Sequence, residues 1–262
     1  MPPGPPASGS AEGPDAGSER SSAGADAVIP AGAADGAVPS PNIWHHPATY
    51  EVENQAVDPD RALESAMVEV ADWAGRDVLD IGCGTGFHLP RWAERARSVV
   101  GVEPHPDLAR LAARRTRRLE NVDVRLGSAT ALPLPDASVD WVQARWAYFF
   151  GPGCESGLAE LERGVRPGGH AFVIDNDPLR DSTFSRWFTR AYPRYDPVEV
   201  RGFWQAQGWS SIPVDMRWEF AAREDLEAVT RIELPAEHAE EVLAEHTGLA
   251  VDYAAVVWWR RL

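Results

Sequence analysis

Lysine is absent from this chain of 262 residues, and all 25 of its basic residues are arginine. That excludes a Schiff-base lysine for pyridoxal phosphate and a lysine-dependent phosphate loop, because both need a primary amine at a fixed place. Cysteine is scarce. Cys83 and Cys154 are too few for a disulfide framework or a cysteine-rich zinc site, which suits a reducing compartment. No basic-then-apolar leader opens the sequence, and no apolar run reaches membrane-spanning length. The expected setting is therefore the cytoplasm, with no membrane partner. Positive charge is also short, since 25 arginines against 40 acids leave a net charge of −15. A field of that sign repels phosphate backbones and anionic lipid heads, so no nucleic-acid partner is expected. The one basic cluster, Arg110, Arg114, Arg115, Arg117 and Arg118, reads as the solvated face of a helix.

What is present is an ample core, with 44% hydrophobic residues and 11 tryptophans. The length fits one α/β domain plus a tail. Residues 1–40 are rich in Pro, Gly, Ala and Ser and read as a disordered tail, with the folded domain spanning 41–262. Apolar residues at helical spacing over 59–73 predict a helix. Short apolar runs at 77–81, 98–102, 122–126, 138–142 and 170–175 predict strands, with helices expected over 87–96, 106–119 and 158–165 between them. Strands and helices alternating at this spacing imply a doubly wound, mostly parallel sheet. Pro167, Gly168 and Gly169 are expected to turn the chain into the fifth strand. Further on, helices are expected over about 181–207 and 222–246, strands over 213–220 and 251–259.

The informative stretch is VLDIGCGTGFH, residues 78–88, where an apolar strand runs into three glycines at alternate positions. In an open parallel sheet, ligands bind beyond the carboxyl ends of the strands where strand order reverses. Gly82, Gly84 and Gly86 allow a tight turn and let a ligand lie against bare backbone. A helix N-terminus follows. Glu103 ends the second strand 21 residues after Gly82, and a carboxylate there can accept bonds from both hydroxyls of a ribose. Phe87 stands where a dinucleotide fingerprint places its third glycine, so the site lacks the close packing that a pyrophosphate needs. Asp80, just before the loop, repels phosphate and suits an α-ammonium group. Ribose, amine and no phosphates describe S-adenosylmethionine.

These residues resemble the class I S-adenosylmethionine-dependent methyltransferases of the small-molecule, type 11-like group. VLDIGCGTG matches that family's first motif, Gly101-Val102-Glu103-Pro104 its ribose-binding acid, and Gly127-Ser128-Ala129 with Leu132-Pro133-Leu134-Pro135-Asp136 the segment beside adenine. Residues 138–142 resemble its fourth strand, and Arg166-Pro167-Gly168-Gly169 the turn before the fifth. The resemblance implies a Rossmann-like sheet of seven strands with the last antiparallel, and S-adenosylmethionine as cofactor. It also implies cofactor contacts from Asp80, Gly82, Cys83, Gly84, Gly86, Glu103, Pro104, Ser128, Ala129, Gln143 and Tyr50. Ser128 departs from the pattern, because the family usually carries an acid there to accept from the adenine amine. Gln143, Ala144 and Arg145 are expected beneath the sulfonium.

Methyl transfer from a sulfonium can be accelerated by alignment alone, so no catalytic side chain is assigned. Candidate bases, if the acceptor must lose a proton, are His45, His46, Tyr50 and Asp175. No metal is expected, since adjacent histidines point apart and no further ligand cluster is visible. The acceptor is expected to be a small molecule met by residues 42–54 and 177–212. Three other readings stay open: a base methyltransferase, disfavoured by Gln143-Ala144-Arg145-Trp146 in place of an N/D-P-P-Y/F motif; a nicotinamide-dependent oxidoreductase, disfavoured by Asp80 and the glycine spacing; and a cofactor-binding protein without transferase activity.

Overall fold

Short runs rich in β-branched and apolar residues form the strands of a computed structural model, which describes residues 29–262. Five are parallel: β1 (Asp77–Ile81), β2 (Ser98–Glu103), β3 (Val122–Leu126), β4 (Val139–Arg145) and β5 (Val165–Asn176). Two further strands, β6 (Ser210–Glu219) and β7 (Ala250–Arg261), complete the sheet of the described residues in the order β3-β2-β1-β4-β5-β7-β6. β7 runs antiparallel to both neighbours, as expected of the last strand. Strand order reverses between β1 and β4, whose paired residues Asp80–Gln143 and Ile81–Ala144 mark the switch point.

Side chains alternate across the strands, and each face is covered. Leu79, Ile81, Val142, Ala144 and Val173 pack with α6 (Glu155–Gly164) and α8 (Pro197–Ala206). Val78, Val99, Trp141 and Phe172 pack on the other face with α3 (Ala62–Val70), α4 (Leu89–Ala93) and α5 (Pro106–Thr116). Trp73, Trp92 and Trp141 form the centre of that layer, with ring centroids 4.9 to 5.8 Å apart. A further layer lies beyond the ends of β4 and β5. It is built from α7 (Thr183–Ala191), α9 (Arg223–Glu233) and α10 (Ala236–Glu245), packed on β6 and β7 around Phe184, Trp218 and Tyr253.

Two elements were not foreseen. The helices α1 (Pro41–His45) and α2 (Pro47–Ala56) each begin on a proline, whose missing N–H costs nothing at a first turn. Chain before them is also ordered against the sheet. The Ala34 amide donates to the Pro104 carbonyl at 3.0 Å, and Ala37 is buried. Folded structure thus includes residues 30–40, earlier than the boundary expected at residue 41; residues 1–28 of the expected tail lie outside the described residues. A second correction concerns Pro167-Gly168-Gly169. β5 already begins at Val165, and these residues form a bulge within it, where register with β4 shifts and Gly168 takes φ +83°.

Candidate functional site

The glycine loop leaves β1 at the switch point and is held in place by backbone. The amides of Gly82 and Cys83 both donate to the Val102 carbonyl, at 2.8 and 3.1 Å. Gly82 takes φ +72°, and a Cβ there would lie 2.5 Å from that of Ala147. Gly84, at φ +55°, turns its amide onto Glu103 Oε2 at 2.8 Å. The His105 amide takes the other oxygen, Oε1, at 2.9 Å. Glu103 is therefore fixed at the end of β2 by two donors, and a carboxylate offers about four acceptor directions, so two remain for hydroxyls.

Asp80 lies 3% exposed at the end of β1. Burial pushes its carboxyl up to about 7, against the pull of Gln143, Arg145 and Trp92 beside it. Burial likewise raises Glu103 to about 7, although its two backbone donors favour the charge. Two carboxyls whose charge burial disfavours are poised for a cation or for hydroxyl donors.

Both open on one cavity of about 1770 Å³, counted with its mouth. Of the residues expected from sequence, Asp80, Gly82, Cys83, Gly84, Glu103, Pro104, Ser128, Ala129 and Tyr50 line it. Gly86 and Gln143 do not. Gly86 serves packing, because a Cβ there would meet the backbone of Ala112 in α5 at 2.9 Å. Gln143 is wholly buried beneath Asp80, its amide beside that carboxylate without a well-aligned hydrogen bond. Ser128 is engaged: its hydroxyl donates to the Asp35 carbonyl at 2.6 Å, which leaves only its oxygen to accept. His45 and His46 are exposed and face away from the cavity, whereas Tyr50 and Asp175 line it.

Arg145, expected beneath the sulfonium, ends β4 beside the loop and lines the cavity, its guanidinium 5.0 Å from the Trp146 ring, with no hydrogen bond or ion pair among the described residues. Trp146 and Tyr148 follow with positive φ of 46° and 54°, a costly backbone for large side chains, and both line the cavity although this stretch reads as core. Trp146 Nε1 donates to Asn176 Oδ1 at 2.8 Å, and the Tyr253 hydroxyl donates to the same oxygen at 2.5 Å. Across from the glycine loop stand Glu53 of α2, Phe184 of α7, Trp218 of β6 and Glu233 of α9. Glu53 and Phe184 lie in the segments expected to meet the acceptor, 42–54 and 177–212, whereas Trp218 and Glu233 do not. Helix α2 is tied to the loop by Glu51, which accepts from the Thr85 hydroxyl and from Arg115 Nη2 at 2.5 Å.

This sheet order, with its antiparallel seventh strand and a glycine loop at the switch point, is that of the Rossmann-like methyltransferase fold. Residues 79–173 match the family model described as a methyltransferase domain. The chain is 36% identical over 150 residues to a protein of Mycolicibacterium smegmatis named "Probable S-adenosylmethionine-dependent methyltransferase", covering 50% of this chain and 52% of that one. It is 32% identical over 123 residues to the demethylmenaquinone methyltransferase of Tropheryma whipplei, covering 47% and 50%. A crystal structure of a SAM-dependent methyltransferase from Aquifex aeolicus superposes with a TM-score of 0.52 at 19% identity, covering 82% of this chain and 98% of that one. The chain spans about half the length of the curated relatives it matches. Residues 79–173 are thus similar to the methyltransferase domain of S-adenosylmethionine-dependent enzymes. Among the described residues no helix is long and apolar enough to cross a membrane.

Proposed function

We propose that this chain transfers a methyl group from S-adenosylmethionine to a small-molecule acceptor, chiefly by holding the two in line. The observation that carries the reading is Glu103, clamped by the amides of Gly84 and His105 at the mouth of β2 with Asp80 buried beside it. The residues fit the cofactor. Glu103 has acceptor directions to spare for two ribose hydroxyls, Asp80 suits the α-ammonium, and Arg145 has five donors without an acceptor to offer the carboxylate. Ala129 and the oxygen of Ser128 stand where adenine would lie, and Tyr50 closes the methionine end.

When bound, S-adenosylmethionine supplies an electrophilic methyl group, whose bond to sulfur breaks with the electron pair staying on sulfur as the acceptor's bond forms. The chain's own contribution is placement and exclusion of water. Helix α2 and residues 36–44 cover the cofactor half of the cavity, and the layer of α7, α9 and β6 closes the other half. Fixing the reacting atoms in near-attack geometry can account for roughly 7–11 kcal/mol of barrier lowering, so no mandatory base is required.

Calorimetric titration with S-adenosylhomocysteine tests the reading directly. Wild type binds; Asp80→Ala and Gly84→Val each lose binding while far-UV circular dichroism stays near wild type. Retained affinity in both variants means that the site lies elsewhere. Labelled cofactor with a panel of small acceptors then reports the transfer.

A further inference from the structure

The half of the cavity facing the glycine loop has walls of two kinds. One is aromatic. Phe184 stacks on Tyr253 with centroids 4.1 Å apart and meets Trp218 edge-on at 4.8 Å. Phe188 and Tyr192, 4.9 Å apart, continue the same wall. The other is a buried acid pair. Glu53 and Glu233 come from different helices and line the same wall, and burial raises both carboxyls above their ordinary range. Two carboxylates side by side cannot both stay ionised, and a cation seated beside them favours the charged form of one. Asn42 Nδ2 donates to Glu233 Oε1 at 2.6 Å and fixes that side of it.

One acceptor of these walls is orphaned. Glu53 Oε2 is closed off from solvent and has no donor. Native proteins rarely leave such a group unmatched, and an orphan lining a cavity marks where a ligand supplies the partner. The sign of that ligand follows from charge. Five carboxyl side chains line the cavity, Glu53, Asp80, Glu103, Asp175 and Glu233, against one guanidinium, Arg145. A bound cofactor engages Asp80, Glu103 and Arg145 on its own side, which leaves the acid pair facing the acceptor.

We infer that the acceptor is a protonated amine with an apolar body, seated with its ammonium at the Glu53–Glu233 pair and its body along Phe184, Trp218 and Tyr253. This rests on the transferase reading above. An ammonium is drawn both to ring faces and to a negative charge. An amine attacks only as its free base. One N–H proton therefore passes to the charged carboxylate of the pair, the bonding electrons remain on nitrogen as its lone pair, and the doubly protonated pair later returns a proton to water.

Three probes of one shape test this in calorimetric titrations of the full chain, with and without saturating S-adenosylhomocysteine: 2-phenylethylamine, 2-phenylethanol and 3-phenylpropanoate. The amine binds at least about tenfold more tightly than the alcohol, the measure of one good charged contact, and the anion does not bind. Glu53→Gln and Glu233→Gln each weaken the amine by about tenfold or more. Neither shifts S-adenosylhomocysteine by more than about twofold, within ordinary mutational scatter. Amine and alcohol binding alike, the anion binding best, or both variants keeping amine affinity overturns the assignment. The wild-type probe series decides even where a variant fails to fold. A wild type that takes the amine but not S-adenosylhomocysteine overturns the transferase reading and keeps the amine site; the reverse overturns the amine site alone.

Discussion

The two walls of the cavity are made in opposite ways. The wall proposed for the cofactor is local: one loop of five residues after β1, one acid at the end of β2 and the strand end of β4 supply its polar groups, the loop and the acid fixed by backbone hydrogen bonds. The acceptor wall is assembled from far apart. The hydrogen bond from Asn42 to Glu233 spans 191 residues, and the stack of Phe184 on Tyr253 joins α7 to the last strand. A wall built from backbone tolerates little change. A wall built from side chains on separate elements can be re-dressed without disturbing the sheet, which is how one fold serves many acceptors.

Substitutions separate the two walls by their effect on S-adenosylhomocysteine affinity. The largest loss is expected from Glu103→Ala, about a hundredfold or more by calorimetry, because it strands the amides of Gly84 and His105 and removes the ribose acceptor. Next comes pH. Asp80 and Glu103 titrate near 7 in the free protein, and an ammonium needs the carboxylate form of Asp80. Affinity therefore rises by about tenfold from about pH 6 to about pH 8, and binding near pH 7 releases protons, read in buffers of different ionisation enthalpy. The same raised values fix the sign for the free chain. A carboxyl raised on folding contributes stability that is complete below its unfolded value and lost as pH climbs through about 7. The melting temperature of the free chain consequently falls over that window, and S-adenosylhomocysteine flattens the fall.

Smaller is the effect of Glu51→Gln, which weakens the tie from α2 to Thr85 and Arg115. Partly exposed pairs contribute about 0–1 kcal/mol, so affinity drops by up to about fivefold, seen chiefly as faster release in stopped-flow. Smallest is Phe184→Ala on the acceptor wall. It costs about 3–5 kcal/mol of stability by denaturant titration, as a buried aromatic does, yet leaves S-adenosylhomocysteine affinity within about twofold. A large loss of cofactor affinity there would erase the distinction between the walls.

The same contrast governs what could be read from the sequence. β1, its glycines and Glu103 are legible because strand, turn and acid act within some 25 residues of one another, and the apolar runs that set the sheet are continuous in sequence. Gly86 stays outside the cavity lining, because in sequence a glycine needed for close packing of α5 looks the same as one needed for a ligand. Helix α2 escaped notice because it buries only Ala56 fully and so carries no apolar stripe; tertiary ties hold it. Glu233 was invisible for a different reason. On α9 it follows Arg231 and precedes a helix end, the pattern of a solvated face, and only the packing of α9 against α2 turns it inward beside Glu53.

Helix α2 has one more consequence. Tyr50 and Glu53 stand three residues apart, hence on the same side of a single ten-residue helix, and each lines a different half of the cavity. Hinging that helix away unlatches both occupants together; the molecule cannot loosen its hold on one through this door while keeping a firm grip on the other.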